Sequence, residues 1–348
     1  MQTSESNKRR KARIFTAAGK GLVLGLLLAA LTGTLAASRA EAQIRCGDTI
    51  APGTQMVLLA DVTCDDEDTG IVVIGPAVLD LNGFAVRCAD QNGNGFETIT
   101  GIALEGSGAT VRGGAVRGCR QGIGVGGAGR HAVANVSVLF SASTGMRIDS
   151  DRNVVTDSFA FFNGGTGFSV AGKANVLSGN AATGNRAGFE VEQRNTLQRN
   201  IASGSERTGF VVRGRQAKLT GNRAVGGSIG FEITGTSNRL TDNESADNST
   251  GFFLEGRSKR NKLTGNVATG SGINGFAVDG LGHKLMKSRA EGNSGNGIRV
   301  ASTASRISVR SSSARNNDQA DLFDNTPGCG TNRWRNNAFG SRNDACIE

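Results

Sequence analysis

The sequence predicts an all-β solenoid, a right-handed parallel β-helix of about eleven coils with disulfide-stapled ends. Three observations carry that prediction. A Gly-apolar-x-apolar unit recurs every 21 to 24 residues; Gly and Asn are abundant while Pro is scarce; and no repeat unit is long enough for an amphipathic helix. The 348 residues include 52 Gly, 3 Pro, 1 Trp and no Tyr, yet 37% are hydrophobic and 16 are Phe. Disordered chains lack that apolar content, whereas short strands joined by tight Gly/Asn turns require it.

The unit begins at Gly101-Ile102-Ala103-Leu104 and is clearest in Gly167-Phe168-Ser169-Val170, Gly188-Phe189-Glu190-Val191, Gly209-Phe210-Val211-Val212 and Gly230-Phe231-Glu232-Ile233. It continues at Gly251, Gly275 and Gly297, with degenerate copies around Gly70 and Asp321. About ten residues after each glycine a second element appears, as in Asn175-Val176-Leu177, Asn195-Thr196-Leu197 and Asn238-Arg239-Leu240. Apolar and polar residues alternate within each element, which is strand periodicity with one face buried. Stacked coils place the Phe and Leu positions in one column, and an Asn at a fixed turn position bonds to its counterparts above and below.

Residues 1–42 read as a signal peptide, with Lys8, Arg9, Arg10, Lys11 and Arg13 ahead of the apolar stretch Gly21 to Leu31. Ala40-Glu41-Ala42 then places cleavage before Gln43, so no membrane span is expected afterwards. Residues 43–100 form an N-terminal cap and first coils, 101–320 the repeats, and 321–348 a C-terminal cap. Without the seven bases and two acids of residues 1–42, the net charge falls from +9 to +4. The remaining bases form no evident cluster, so nucleic acid is not an expected partner.

Six cysteines, Cys46, Cys64, Cys88, Cys119, Cys329 and Cys346, all lie in the exported part. An even number in an oxidising compartment reads as disulfides, of which 15 pairings are formally open. Their crowding at the two ends favours Cys46–Cys64, Cys88–Cys119 and Cys329–Cys346, staples where solenoid ends need capping.

Cys46-Gly47-Asp48-Thr49-Ile50, Leu79-Asp80-Leu81-Asn82-Gly83 and Val111-Arg112-Gly113-Gly114 resemble the first coils of bacterial right-handed β-helix repeat proteins of the pectin-lyase-like superfamily. The ending, from Cys329-Gly330-Thr331-Asn332-Arg333-Trp334 to Cys346, is similar to their C-terminal cap. The resemblance implies the fold over nearly the whole mature chain. It leaves activity open, because the superfamily holds polysaccharide lyases, hydrolases, epimerases, adhesins and binding proteins. The clustered Asp and basic catalytic positions of the pectin-cleaving enzymes are not recognisable here.

Outward positions of successive coils lie about 4.8 Å apart. One column contains Glu190 and Glu232, two coils and so about 9.6 Å apart, a spacing suited to a water-activating carboxylate pair. The next column holds Glu192, Arg213 and Glu255, with Glu192 and Arg213 expected to orient each other or a uronate substrate. The competing reading is a solvated face whose charges prevent aggregation. Phe253, and one of Phe161 and Phe162, are expected to face outward.

Asp90, Asn92 and Asn94 match the opening of a calcium loop, but Gly101 stands where such a loop needs a bidentate Glu. Apart from calcium at that segment, no cofactor is expected. His131 and His283 are seven coils, about 34 Å, apart, and the methionines are scattered, so neither zinc nor copper has a ligand cluster. The leading functional expectation is polysaccharide or cell-surface glycan binding on the charged face. A lyase or epimerase acting on acidic glycan comes second, and a structural or adhesive surface rod third. Uniform coil lengths argue against the deep, loop-walled cleft that catalysis favours on this scaffold.

Overall fold

A Cβ at Gly188 would lie 2.6 Å from the carbonyl oxygen of Gly209 in the next coil, and one at Gly209 would lie 2.8 Å from that of Gly230. Each repeat therefore opens on glycine because successive backbones approach too closely there for any side chain. The computed structural model describes residues 43–65, 68–88 and 100–348. Residues 1–42 of the expected signal peptide and the calcium candidates Asp90, Asn92 and Asn94 lie outside the described residues.

The chain winds through three parallel sheets. The first has 13 strands, from Thr49–Ile50 through Ala187–Val191, Thr208–Val212 and Ile229–Ile233 to Leu322–Asp324. The second runs from Gln55–Val57 to Arg333–Arg335 and the third from Val62–Cys64 to Ala338–Phe339. In two early coils the second and third sheets share one long strand, Thr110–Arg117 and Ala132–Leu139, which pair with each other along both segments. The solenoid thus has more coils than the eleven read from the repeat. The excess lies at the ends, where strands such as Thr49–Ile50 pair in register without the glycine signature.

Inside, Phe168, Phe189, Phe210, Phe231, Phe252 and Phe276 stack with centroids 4.7 to 4.9 Å apart and planes within 4 to 6° of parallel. Fully buried leucines of the second sheet, including Leu197, Leu219 and Leu240, and small alanines of the third, Ala182, Ala202 and Ala224, complete the column. The bulk of Phe on one sheet is matched by the slightness of Ala on another, so the coil fills without strain.

Buried Asn ladders run along the turns. The Oδ1 of Asn222 accepts both the backbone N–H (2.9 Å) and the Nδ2 (3.0 Å) of Asn200, while its own Nδ2 donates to the Leu197 carbonyl at 3.0 Å. A buried amide is tolerated because each of these groups finds a partner. Ladders of the same kind pass through Asn153 and Asn175, and through Asn163 and Asn185.

The disulfides Cys46–Cys64, Cys88–Cys119 and Cys329–Cys346 form as expected. At the C-terminal end, the Asp324 carboxylate accepts the indole N–H of Trp334 at 2.9 Å, and that of Asp321 accepts the N–H groups of Gly340 (2.7 Å) and Ser341 (3.0 Å). No helix among the described residues is long and apolar enough to cross a membrane.

Candidate functional site

Ser169, Glu190, Val211, Glu232 and Phe253 stand in register on the outer side of the first sheet. Beside them lies a groove of about 380 Å³ lined by Glu190, Arg213, Glu232, Arg186, Arg207 and Thr208, among others. The Nε of Arg213 lies 3.2 Å from Glu190 Oε1, and the buried Thr208 hydroxyl donates to Glu232 Oε2 at 3.0 Å. Both carboxylates are therefore fixed in orientation, one by a guanidinium and the other by a hydroxyl. Arg186 and Arg207 are exposed and add two planar cations, the side chain best matched to a carboxylate or sulfate ligand.

Of the five residues expected on this face, Glu190, Arg213 and Glu232 come together. Glu192 and Glu255 stay on the neighbouring outward column, away from the groove lining. The expected orientation of Arg213 by Glu192 is corrected: the guanidinium turns diagonally to Glu190 in the preceding coil, and the apolar Val211 stands between Glu190 and Glu232. Arg186, Arg207 and Thr208 escaped notice because the repeat was read from its glycine onward. The signal was present one and two residues earlier, in Arg186-Ala187-Gly188-Phe189 and Arg207-Thr208-Gly209-Phe210.

The aromatic residues face outward as expected, though to different degrees. Phe253 is only half-exposed, whereas Phe162 is exposed and stacks on the exposed Phe140, with centroids 6.0 Å apart. The reading that bases form no cluster is also corrected. Lys218, Arg239, Lys262 and Lys284 occupy one position in four consecutive strands of the second sheet, paired in register. They lie 21 to 23 residues apart in the chain, a separation that hides the alignment until coil lengths are known.

These features define a right-handed parallel β-helix with charged lateral faces. Residues 53–198 match the family described as right handed beta helix region. Residues 144–271 and 193–348 match the family described as periplasmic copper-binding protein (NosD), and the chain belongs to that family. No curated protein sequence matches it.

Among solved structures, the chain resembles the A-module of mannuronan C-5 epimerase AlgE6 from Azotobacter vinelandii at TM-score 0.58 and 15% identity, over 84% of this chain and 90% of that one. It also resembles the periplasmic alginate epimerase AlgG at TM-score 0.54 and 11% identity, covering 85% and 79% of the two chains. A third is the catalytic unit of a GH87 alpha-1,3-glucanase from Streptomyces thermodiastaticus, at TM-score 0.59 and 13% identity, covering 87% and 64%. At these identities the likeness shows the fold.

The family description implies copper, and the described residues do not fit it. Both histidines are buried, and both ring nitrogens of each are engaged within the turns. His131 Nδ1 accepts the Ala109 N–H at 3.1 Å and its Nε2 lies 2.8 Å from the Gly126 carbonyl oxygen. His283 Nδ1 accepts the Asn261 N–H at 3.1 Å and its Nε2 lies 3.0 Å from Ser258 Oγ. All six cysteines are in disulfides, and no group of three or more His, Cys, Asp or Glu among the described residues is placed to hold a metal ion. Burial drives the pKa of His283 down to about 4 and lowers that of His131 as well. Both rings are therefore neutral hydrogen-bonding parts of the scaffold.

Proposed function

We propose that this protein is an extracytoplasmic glycan-binding β-helix that holds a short acidic saccharide in the first-sheet groove. The observation that carries the reading is the convergence of Arg186, Arg207 and Arg213 with the oriented carboxylates of Glu190 and Glu232 on one outer surface. Arginine forks are matched to sugar carboxylates, and fixed carboxylates accept sugar hydroxyls. Glu192 and Glu255 extend the polar surface beside the groove. The disulfides and the leader-like N-terminus support a location outside the cytoplasm. The epimerases and the glucanase on the same fold support a saccharide as the ligand class.

Binding is favoured over turnover. The Glu190–Glu232 spacing of about 9.6 Å is compatible with a carboxylate pair, but coil intervals of 21 to 24 residues from Gly101 to Gly297 leave no long loops among these repeats to wall off water. The test is binding of the purified protein to a panel of acidic and neutral polysaccharides, with absorbance monitored for unsaturated products. The reading expects saturable binding to acidic glycans that Arg213→Gln and Glu190→Gln weaken, without product. Product absorbance would move the protein to the lyases. No binding across the panel would leave a structural rod.

A further inference from the structure

We infer a second ligand surface on this molecule: the cation ladder of the second sheet is a docking track for a polyuronate, an anionic polysaccharide with a carboxylate on successive sugars. The inference stands on a different sheet and on different residues from the groove.

The first positions of strands Lys218–Thr220, Arg239–Thr241, Lys262–Thr264 and Lys284–Met286 are all cations, all exposed and all in register. The next two strands, Ser308–Arg310 and Arg333–Arg335, add Arg310, Arg333 and Arg335. None of these six strands carries an acidic side chain. The charge begins abruptly: the three preceding strands, Val154–Thr156, Val176–Ser178 and Thr196–Gln198, are uncharged. Arg194, Arg260 and Arg306 on the adjoining turn widen the track.

Elsewhere the same protein sets acids beside its bases. Arg213 meets Glu190, Arg223 meets Glu244, Arg147 meets Asp149 and Arg289 meets Glu291. Among the described residues Lys218, Arg239, Lys262 and Lys284 enter no such pair. Like charges directly opposite on neighbouring strands destabilise a sheet, so an unrelieved stack of four is a cost in the free protein that an anionic ligand removes. Hollows also lie on this track. One of about 560 Å³ is lined by Arg194, Thr196, Gln216, Lys218, Ser237 and Arg239, and another of about 690 Å³ includes Lys284, Arg306, Arg310 and Arg333.

The geometry selects the polymer. Cations repeat with the strand spacing of about 4.8 Å along a straight line, nearly the length of one sugar residue in an extended glycan. Single-stranded nucleic acid would be expected to use exposed aromatics for base stacking. The only aromatic on these strands is Trp334, which is buried beneath the cap.

The test measures affinity for immobilised polygalacturonate at low and at physiological salt, with neutral dextran and duplex DNA as comparators. Lys218→Gln, Arg239→Gln, Lys262→Gln and Lys284→Gln are combined. The two pairwise halves are made as well, in case the fourfold variant fails to fold. We expect at least tenfold weaker binding in the fourfold variant, a partial loss in each half, and a shallower salt dependence in all three. Unchanged affinity in the ladder variants overturns the inference, whether or not the groove variant Glu190→Gln with Arg213→Gln, measured beside them, weakens binding. Tighter binding to duplex DNA than to polygalacturonate overturns the choice of glycan.

Discussion

Asn261 donates its backbone N–H to Nδ1 of His283 at 3.1 Å, the same bond that Asn238 makes to Oδ1 of Asn261 one coil earlier at 2.8 Å. His283 thus occupies a rung of an asparagine ladder. Its neutral ring fills that role, and its folded pKa of about 4 lies below the ordinary 6.5. Between those values the unfolded chain binds the extra proton, so stability rises with pH across the window. The stabilisation is complete above about pH 6.5 and lost as pH falls toward 4, a change of about 3 kcal/mol. His283→Asn, which restores the usual rung, is expected to fold and to flatten this dependence in urea unfolding between pH 4 and 6.5. The slope that remains belongs to His131 and, toward the acid end, to Asp61 and Asp344, whose carboxyl groups are held below their ordinary range by backbone N–H groups.

Removing a rung from the ladder is costly in a different way. Asn222→Ala leaves the buried N–H of Asn200 and the carbonyl of Leu197 without their side-chain partner. The expected loss is about 2 to 3 kcal/mol at pH 7, read from the urea midpoint. Asn222→Ser should cost less, since Ser158 accepts the Val136 N–H at the equivalent place in an earlier coil.

Phe210 sits between Phe189 and Phe231 at 4.8 Å on each side and is fully buried. Phe210→Ala opens a cavity that rigid neighbouring coils cannot close, with an expected cost of about 3 to 5 kcal/mol. Phe210→Leu, which keeps most of the volume, should lose clearly less by the same measurement.

The sole tryptophan, Trp334, reports on the C-terminal cap, where it is buried and bonded to Asp324. Replacing both Cys329 and Cys346 by Ser removes the staple beside it. The expected result is a red-shifted emission with readier acrylamide quenching, while far-ultraviolet circular dichroism stays near wild type. End coils can loosen without the centre because each coil contacts only its neighbours.

The fold was legible because its determinants are local and repeated. Gly188 and Gly209 mark the close approach of coils, the Phe column marks the core, and Asn195 and Asn238 mark the turns. The pairing of cysteines followed from their position at the ends. The surfaces were less legible, because their content depends on which residues of different coils become neighbours. Arg213 faces Glu192 by column, yet it pairs diagonally with Glu190, because a long side chain reaches neighbours other than the one directly opposite. Lys218 and Lys284 are 66 residues apart in the chain but share one ladder, since three coil steps separate them. The short spans between outward positions also hid Arg186 and Arg207, which lie before the glycine that starts each unit.

Calorimetric titration of a uronate oligosaccharide into wild type and into the Arg186→Gln, Arg207→Gln double variant tests the central claim most directly. Both cations line the groove, and their replacement leaves the core, the Asn ladders and the second-sheet track unaltered. The account predicts saturable binding at the groove in the wild type, distinct from the weaker, salt-sensitive binding to the second-sheet track, and at least tenfold weaker groove binding in the variant, with equal thermal stability. Equal affinity in the two proteins, or no heat of binding in either, would contradict it.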